Sequence, residues 1–154
     1  MNKSKLTAGD PAPEFNLPRD GGGNLSHVDF VGKKLVLFFY PRDDTKGCTT
    51  EATEFTAALP EFEKIGAAVV GVSKDSVASH DKFVAKYGLT VPLLSDENGT
   101  LCEDAGVWVE KNMYGKKFMG IERTTLVIEG GKITHVWPRV KVNGHVDAVL
   151  AALR

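Results

Sequence analysis

The sequence predicts an α/β fold with a central mixed β-sheet flanked by helices. Two observations carry this prediction: strand and helix patterns alternate along the chain, and one strand–helix–strand unit has the apolar pattern of a parallel crossover. The 154 residues are 42% hydrophobic and 25% charged, which suits one compact domain with its own core. No repeat or linker-like segment divides the chain, so we expect residues 1–154 to form a single domain.

The crossover begins with residues 35–40, which are apolar on both faces and are followed by Pro41. Such a segment is typical of a strand in the middle of a sheet, and the proline ends it. After a polar loop, apolar residues recur at three- and four-residue intervals and predict an amphipathic helix: Ala52, Phe55, Leu59 and Phe62. Gly66 is expected to close this helix, and residues 67–72 follow as a second buried strand parallel to the first.

A second helix is predicted after the crossover. Ser76 can cap its start and Gly88 can end it. Its inner stripe is expected to comprise Val77, Phe83, Val84 and Tyr87. A short strand at residues 91–94 follows.

The next segment is predicted to contain a turn at residues 96–99 and a short helix with Leu101 and Cys102. Residues 107–122 lack a clear helical or strand period. We therefore expect a less regular stretch there, which could border a site.

Two hairpins and a last helix complete the predicted fold. Residues 124–128 and 132–137 flank Gly130-Gly131 and predict an antiparallel hairpin. Near the start, residues 16–17 and 25–26 flank a glycine-rich turn, which predicts an N-terminal β-hairpin rather than a nucleotide loop. The last helix is expected to turn four apolar residues inward: Val146, Val149, Leu150 and Leu153.

Charge and composition argue against several functions. Nineteen Lys and Arg against twenty Asp and Glu leave a net charge of −1, so no field attracts nucleic acid or an acidic membrane surface. No apolar run approaches the roughly 20 residues that a membrane span needs, and no secretory signal precedes Gly9. The sequence therefore predicts a cytoplasmic protein that binds neither nucleic acid nor membrane.

Metal and cofactor sites are not predicted either. Cys48 and Cys102 are the two cysteines, and the four histidines lack the spacing of metal ligands: His27, His80, His135 and His145. We expect all four histidines to be structural or solvent-facing. No strand–glycine-loop–helix phosphate motif occurs, so no cofactor is predicted.

Cys48 is the candidate nucleophile, because it lies where a strand has ended and a helix begins. The first turn of a helix leaves N–H groups unpaired and carries about half a positive charge, which favours a thiolate over a thiol. The preceding loop, residues 42–47, is polar and predicts partial exposure of the sulfur. The alternative is a buried cysteine that only fills space, and this loop makes that alternative the weaker one.

The residues around Cys48 resemble a known family. Pro41, Thr45 and Cys48 have the Pro-x-x-x-Thr-x-x-Cys spacing of the peroxiredoxin active site, and residues 39–51 resemble its bacterioferritin-comigratory, or Q-type, branch. The resemblance covers essentially the whole chain, including residues 9–15, 71–73 and 120–125. It implies a thioredoxin-like fold. It also implies a thiol-specific peroxidase that reduces hydrogen peroxide and organic hydroperoxides in antioxidant defence and redox homeostasis.

The same resemblance implies a role for each of four residues, and the position of Glu51 in the first helical turn gives it a supporting role. Cys48 attacks the peroxide and becomes a sulfenic acid. Thr45 offers its hydroxyl to the thiolate and to a peroxide oxygen, and Pro41 shields the sulfur from water. Arg123 stabilises the thiolate and the leaving oxygen, and Glu51 is expected to orient Arg123. Each of these residues also has a purely structural alternative. Pro41 can simply end the strand, Thr45 can form the turn, and Arg123 can belong to a surface ion pair.

The sequence departs from this family where the sulfenic acid has to be reduced. Members of the branch carry a second cysteine five residues after the first, where this chain has Thr53, or in the next helix, where residues 80–87 contain none. Cys102 is the remaining intramolecular candidate, although its apolar neighbours predict burial against the core. Otherwise thioredoxin, glutaredoxin or a small thiol has to attack Cys48 directly, and the resemblance favours thioredoxin.

Two other functions compete with the peroxidase. A thioredoxin-like disulfide oxidoreductase needs a Cys-x-x-Cys pair, but position 51 is Glu. A non-catalytic adaptor has no need for Pro41, Thr45, Cys48 and Arg123 together. The sequence therefore favours a peroxidase, and the resemblance indicates a monomer.

Overall fold

The computed structural model describes residues 6–154. Residues 1–5, on which part of the expectation about a secretory signal rests, lie outside the described residues. The strands are β1 (Asn16–Pro18), β2 (Asn24–Ser26), β3 (Lys34–Phe39), β4 (Ala67–Ser73), β5 (Leu93–Ser95), β6 (Trp108–Met113), β7 (Lys116–Ile121), β8 (Thr124–Glu129) and β9 (Lys132–Trp137). The helices are α1 (Lys46–Lys64), α2 (Val77–Tyr87), α3 (Leu101–Asp104) and α4 (His145–Leu153).

The central sheet has the strand order β5-β4-β3-β8-β9. β3 and β4 pair in parallel, as do β4 and β5, whereas β8 pairs antiparallel with both β3 and β9. The parallel pairs follow from crossovers through α1 and α2, since parallel neighbours cannot be joined by a tight turn. The predicted mixed sheet, with residues 35–40 at its middle strand, is confirmed.

Side chains of β3 alternate between two cores, one on each face of the sheet. Val36 and Phe38 belong to the first core, which also takes residues from α1, α2 and α4. Leu35 and Leu37 belong to the second core, which takes residues from α3 and from the β1–β2 hairpin. The central strand is therefore covered on both faces, which explains its continuous apolar sequence.

The predicted helix ends are confirmed. Gly66, just after α1, has a φ of +75°, and Gly88, just after α2, has a φ of +63°, a conformation that glycine adopts without steric cost. The Ser76 side chain accepts a hydrogen bond from the Ser79 N–H at 3.1 Å and caps α2. The short helix at Leu101 and the inward-facing residues of α4 are also present: Val146, Val149, Leu150 and Leu153.

The predicted inner stripe of α2 is only partly correct. Phe83 is buried, but Val77 and Val84 are half-buried and Tyr87 is 37% exposed. His80 occupies a fully buried position on this helix instead. The predicted stripe contained only apolar residues and Tyr87, whereas a buried polar ring is also tolerated when hydrogen bonds satisfy it.

The expectation of an irregular stretch at residues 107–122 is wrong. β6 and β7 pair there as an antiparallel hairpin, with Tyr114 and Gly115 at its turn. Their φ values of +52° and +79° suit a two-residue hairpin turn. Most side chains of this hairpin are exposed, so the alternation of apolar and polar residues that reveals a half-buried strand is missing.

The two other predicted hairpins are confirmed. β1 pairs antiparallel with β2, and β8 pairs antiparallel with β9 around Gly130 and Gly131. β5 begins at Leu93 rather than at residue 91. Among residues 6–154, no helix combines the length and the apolar character that crossing a membrane requires.

Candidate active site

Cys48 is the third residue of α1, directly after the loop that follows β3. Thr45 is the N-cap residue, but its hydroxyl donates to the Arg42 carbonyl at 2.9 Å and makes no side-chain cap. The first turn of α1 therefore lacks the usual side-chain acceptor for its N–H groups. Helix ends in this state attract negative charge.

The predicted partial exposure of Cys48 is wrong, since the residue is only 1% exposed. Its side chain is part of the first core, next to residues of β3 and α1. The polar loop before it faces solvent apart from Asp43, and Pro41 and Thr45 are exposed. The helix nevertheless turns Cys48 inward, because residues of one helical turn point in different directions.

Arg123 lies between β7 and β8 and reaches Cys48. Its Nη2 donates to Cys48 Sγ at 3.2 Å, and its Nη1 donates to Glu51 Oε1 at 2.8 Å. The planar guanidinium presents a separate, fixed nitrogen to each group, whereas a lysine has a single flexible ammonium. Burial favours the neutral form, but the negative charges of Cys48 and Glu51 outweigh it and raise the pKa of Arg123.

Glu51 is fully buried on α1, one turn after Cys48. Burial raises the pKa of Glu51 to about 7, although the charge of Arg123 opposes this shift. Oε1 accepts from Arg123, whereas Oε2 is buried and has no hydrogen-bond partner among the described residues. The carboxyl group therefore fixes the guanidinium through one oxygen and titrates close to neutral pH.

Cys102 lies far from this arrangement in the fold. It is 0% exposed and belongs to the second core, on the opposite face of the central sheet from Cys48. Its backbone N–H donates to Asp96 Oδ2 at 2.8 Å. Burial and the nearby Asp96 raise the pKa of the Cys102 thiol far above its ordinary value, which disfavours the reactive thiolate.

Lys111 of β6 is a neighbour that the sequence did not reveal. Burial and the charge of Arg123 lower the pKa of Lys111, while Cys48 acts in the opposite direction. A second cation therefore lies within electrostatic reach of the sulfur. The position of Lys111 near Cys48 was not predicted, because residues 107–122 were not recognised as a hairpin.

Gly47 is a second feature that only the structure explains. A Cβ atom at this position would lie 3.2 Å from Arg123 Nη2, closer than ordinary van der Waals contact. The missing side chain therefore leaves room for the guanidinium beside Cys48. A glycine directly before the candidate nucleophile was the available sequence signal.

The histidines serve the fold. All four are hydrogen-bonded to another residue, as the expected structural role requires: His27, His80, His135 and His145. His145 is the one nearest to the site, and its Nε2 lies 2.7 Å from Thr125 Oγ1. Burial and the charge of Arg123 lower the pKa of His145 to about 4, so the ring is neutral at neutral pH.

Within residues 6–154, no cluster of three or more His, Cys, Asp or Glu is arranged to hold a metal ion. The site itself combines the Cys48 sulfur with the guanidinium of Arg123. A fixed guanidinium beside a cysteine stabilises negative charge on the sulfur and on any atom that the sulfur displaces. The geometry suits nucleophilic attack with an anionic leaving group.

Known proteins resemble this chain along nearly all of its length. The model of the AhpC/TSA family matches residues 8–136. Peroxiredoxin Bcp of Xanthomonas campestris is 51% identical over 147 residues, which are 94% of this chain and 92% of that protein.

Solved structures agree with this similarity. The bacterioferritin comigratory protein of Xanthomonas campestris, studied for its alkyl peroxide reduction activity, superimposes with a TM-score of 0.89 at 47% identity and covers 96% of this chain and 97% of its own. A mutant of Xylella fastidiosa PrxQ gives a TM-score of 0.93 at 43% identity and covers 98% of this chain and 97% of its own. The similarity includes the thioredoxin-like arrangement of strands and helices.

Proposed function

Because this chain belongs to the AhpC/TSA family, and within it to the Bcp-type peroxiredoxins, we propose that Cys48 is the residue that attacks the peroxide. The protein is a thiol peroxidase that works through a cysteine intermediate. One observation supports the choice of Cys48 above all: Arg123 Nη2 lies 3.2 Å from its sulfur. Cys102 instead faces the carboxylate of Asp96, which raises the pKa of the thiol more than the charge of Lys74 lowers it.

The reaction proceeds by attack of the Cys48 sulfur along the O–O bond. A sulfur–oxygen bond forms, the O–O bond breaks, and the leaving oxygen takes up a proton and departs as water or an alcohol. Cys48 is left as a sulfenic acid. Arg123 stabilises the negative charge on the leaving oxygen, and Glu51 holds Arg123 in place.

Thr45 and Pro41 complete the proposed site from the loop before α1. The Thr45 hydroxyl donates to Arg42, and its oxygen retains lone pairs that can accept a hydrogen bond from a protonated peroxide oxygen. Pro41 precedes this turn and has no backbone N–H to compete for the substrate. Its ring excludes water from one side of the sulfur.

The substrates are hydrogen peroxide and organic hydroperoxides. The relative from Xanthomonas campestris is described by its alkyl peroxide reduction activity, and this chain shares 47% of its residues. Attack on the terminal oxygen requires no particular group on the far side of the O–O bond. We therefore extend the activity to both classes of peroxide.

The sulfenic acid of Cys48 is reduced by an external thiol. Cys48 and Cys102 belong to cores on opposite faces of the sheet, so the two sulfurs cannot meet without disrupting the fold. An external thiolate attacks the sulfenic sulfur, water leaves, and a mixed disulfide forms. A second thiol of the reductant then releases Cys48, which suits a dithiol protein such as thioredoxin.

Assays with purified protein test these assignments. Peroxide consumption with excess dithiol reductant is expected to depend on Cys48 and to vanish in Cys48→Ser, whereas Cys102→Ala retains it. Turnover by Cys48→Ser at the wild-type rate would contradict the proposed role. A monomer and a cytoplasmic location also belong to this proposal, and light scattering and cell fractionation check them.

A further inference from the structure

A buried carboxylate ties the loop at residues 41–47 to the helix beside it. The Asp43 side chain is 4% exposed. Its Oδ1 accepts a hydrogen bond from the Tyr40 hydroxyl at 2.6 Å. Its Oδ2 accepts from the Ser79 hydroxyl at 2.7 Å and lies 2.7 Å from His80 Nδ1. Three side chains, two of them from α2, thus converge on one residue of the loop that precedes Cys48.

The backbone of the same loop is held as well. The N–H of Asp43 donates to Asp75 Oδ2 at 2.9 Å. The Ser73 hydroxyl donates to the same Asp75 oxygen at 2.7 Å. The loop is therefore anchored both by its backbone and by a buried charge, at a point between the proposed peroxide-binding residues Pro41 and Thr45.

The geometry determines the charge of His80. Nε2 lies 2.9 Å from the carbonyl oxygen of Leu94, which can only accept a hydrogen bond, so Nε2 carries a proton. Nδ1 faces Oδ2 of Asp43, and the Tyr40 and Ser79 hydroxyls both donate to this carboxylate, which in its ionised form only accepts. Both ring nitrogens carry protons only in the imidazolium form. His80 and Asp43 therefore form an ion pair that is 0% and 4% exposed.

The groups around the ring support this charge. Burial opposes it, but the hydrogen bond and the charge of Asp43, the Leu94 carbonyl and the charge of Asp75 outweigh burial and raise the pKa of His80. Tyr40 faces the same pair from the end of β3. Burial and the charge of Asp43 raise the pKa of Tyr40, so its hydroxyl stays protonated and keeps donating.

We propose that His80 is a positioning residue for the peroxidase reaction: its imidazolium, paired with Asp43, holds the loop in the conformation that presents Pro41 and Thr45 beside Cys48. The proposal rests on the attack by Cys48 proposed above. When the ring loses its proton, Nδ1 becomes an acceptor that faces an acceptor. The buried Asp43 carboxylate then loses its cation, and the loop is released.

The direction of the pH effect follows from the raised pKa of His80. Its contribution to stability is complete below the ordinary histidine value of 6.5 and is lost as the pH rises through the value in the folded protein. The loop is therefore held below the raised pKa of His80 and released above it. Arg123 and Glu51 are not part of this anchor, because they form their own ion pair beside Cys48.

Asp44 offers a matched control in the same loop. Its carboxylate also contacts α2, through Lys86 Nζ at 2.8 Å and the Tyr87 hydroxyl at 2.6 Å. That ion pair is exposed, with 41% of Asp44 and 59% of Lys86 accessible, and exposed pairs contribute little. Asparagine tolerates the φ of +60° at this position. Asp44→Asn therefore breaks an exposed ion pair between the same loop and the same helix without disturbing the buried pair.

The charge of His80 can be measured without any kinetic assay. In ¹⁵N-labelled wild-type protein at pH 7, long-range ¹H–¹⁵N spectra are expected to show both His80 ring nitrogens protonated. The resonances of the other three histidines are assigned with their own Gln variants, and those that remain belong to His80. His80 is expected to lose its proton at a higher pH than the other histidines. A neutral His80 ring at pH 7 would overturn the proposal.

Single-turnover kinetics test the link to catalysis. The second-order rate constant of Cys48 with hydrogen peroxide is expected to fall about tenfold in wild type and in Asp44→Asn across the alkaline titration of His80. His80→Gln is expected to be slow by a similar factor at pH 7 and to lack this alkaline fall. If His80→Gln does not fold, the wild-type protein alone tests the proposal. Its rate constant is then expected to fall over the same pH range in which the NMR spectra show His80 losing its proton.

The outcomes separate the two proposals. A wild-type rate that stays constant while His80 titrates would overturn the positioning role, even if the ring is charged at pH 7. An equal alkaline fall in His80→Gln would do the same. A wild type without Cys48-dependent peroxidase activity at any pH would instead refute the attack by Cys48, and the positioning role would fall with it.

Discussion

Replacing Arg123 by alanine is expected to slow the reaction of Cys48 with hydrogen peroxide about a hundredfold. Nη2 of Arg123 donates to the sulfur at 3.2 Å. Two unit charges at this distance interact by about 5 kcal/mol at an effective dielectric constant of about 20. The side chain is 16% exposed, so water replaces part of this interaction when the guanidinium is removed.

The expected rate loss can also be derived from the usual cost of removing one hydrogen-bond donor. Loss of one preorganised donor to a developing negative charge costs about 3 kcal/mol of transition-state stabilisation. That is about half of the Coulomb value and corresponds to a rate factor of about one hundred, since each 1.36 kcal/mol changes a rate about tenfold. Arg123→Lys keeps the charge but lacks the two fixed nitrogens that contact Cys48 and Glu51, so its rate is expected to lie between those of wild type and Arg123→Ala.

The assay is a single turnover of reduced enzyme with hydrogen peroxide at pH 7, in competition with a peroxidase of known rate, so that no reductant contributes. The substitution also leaves the buried Glu51 without its cation, which lowers stability by itself. Arg123→Ala combined with Glu51→Gln removes that second effect and is expected to be slow as well. Thermal unfolding shows whether each variant is folded at the assay temperature.

Two results would refute this reasoning. A change of less than threefold in Arg123→Ala would mean that the guanidinium is not in the reacting site. Recovery of the wild-type rate in the double variant would mean that the unpaired Glu51, rather than the lost donor, causes the defect.

Three further predictions concern other residues of the two cores and the β6–β7 hairpin. The raised pKa of Glu51, about 7, means that the folded protein binds more protons than the unfolded chain between pH 4.5 and about 7. The free energy of unfolding is therefore expected to fall by about 3 kcal/mol as the pH rises through this range. In Glu51→Gln it is expected to change less with pH, and urea titrations at several pH values measure both. With an external dithiol, the turnover rate of Cys102→Ala is expected to lie within about twofold of the wild-type rate. A Cys48–Cys102 disulfide in peptide maps of the wild type after one equivalent of peroxide would contradict this. Lys111→Gln is expected to slow peroxide reduction about threefold at low ionic strength and less in high salt. Lys116→Gln, at the exposed end of the same hairpin, removes an equal charge and serves as the control. Equal effects of the two substitutions would exclude a specific role for Lys111.

The local elements of this protein are determined by short-range patterns in its sequence. The apolar run at residues 35–40, the helical period of α1 and the glycines at positions 66 and 88 each act within a few residues, so the crossover and its ends could be predicted. The position of Cys48 at a helix start is likewise a local property. Resemblance to a family then pointed to Arg123, which no local pattern marks as catalytic.

The β6–β7 hairpin is an element that local sequence patterns did not predict. Its side chains are mostly exposed on both faces, so no burial imposes alternation on the sequence. Lys111 was missed for this reason. The same limit applied to Cys48, whose polar flanking loop predicted exposure while the helix turned its side chain into the first core.

The sequence alone determined that Cys48 stands at the start of a helix in an α/β fold, because helix and strand periods are encoded residue by residue. Only the tertiary structure decided which groups surround it. The Arg123 contact spans 75 residues of chain, and the His80–Asp43 pair spans 37. The separation of Cys48 from Cys102 depends on which face of the central sheet each helix covers. Such contacts form only when the sheet brings distant segments together, and burial then gives them the strength and the pKa shifts that catalysis requires.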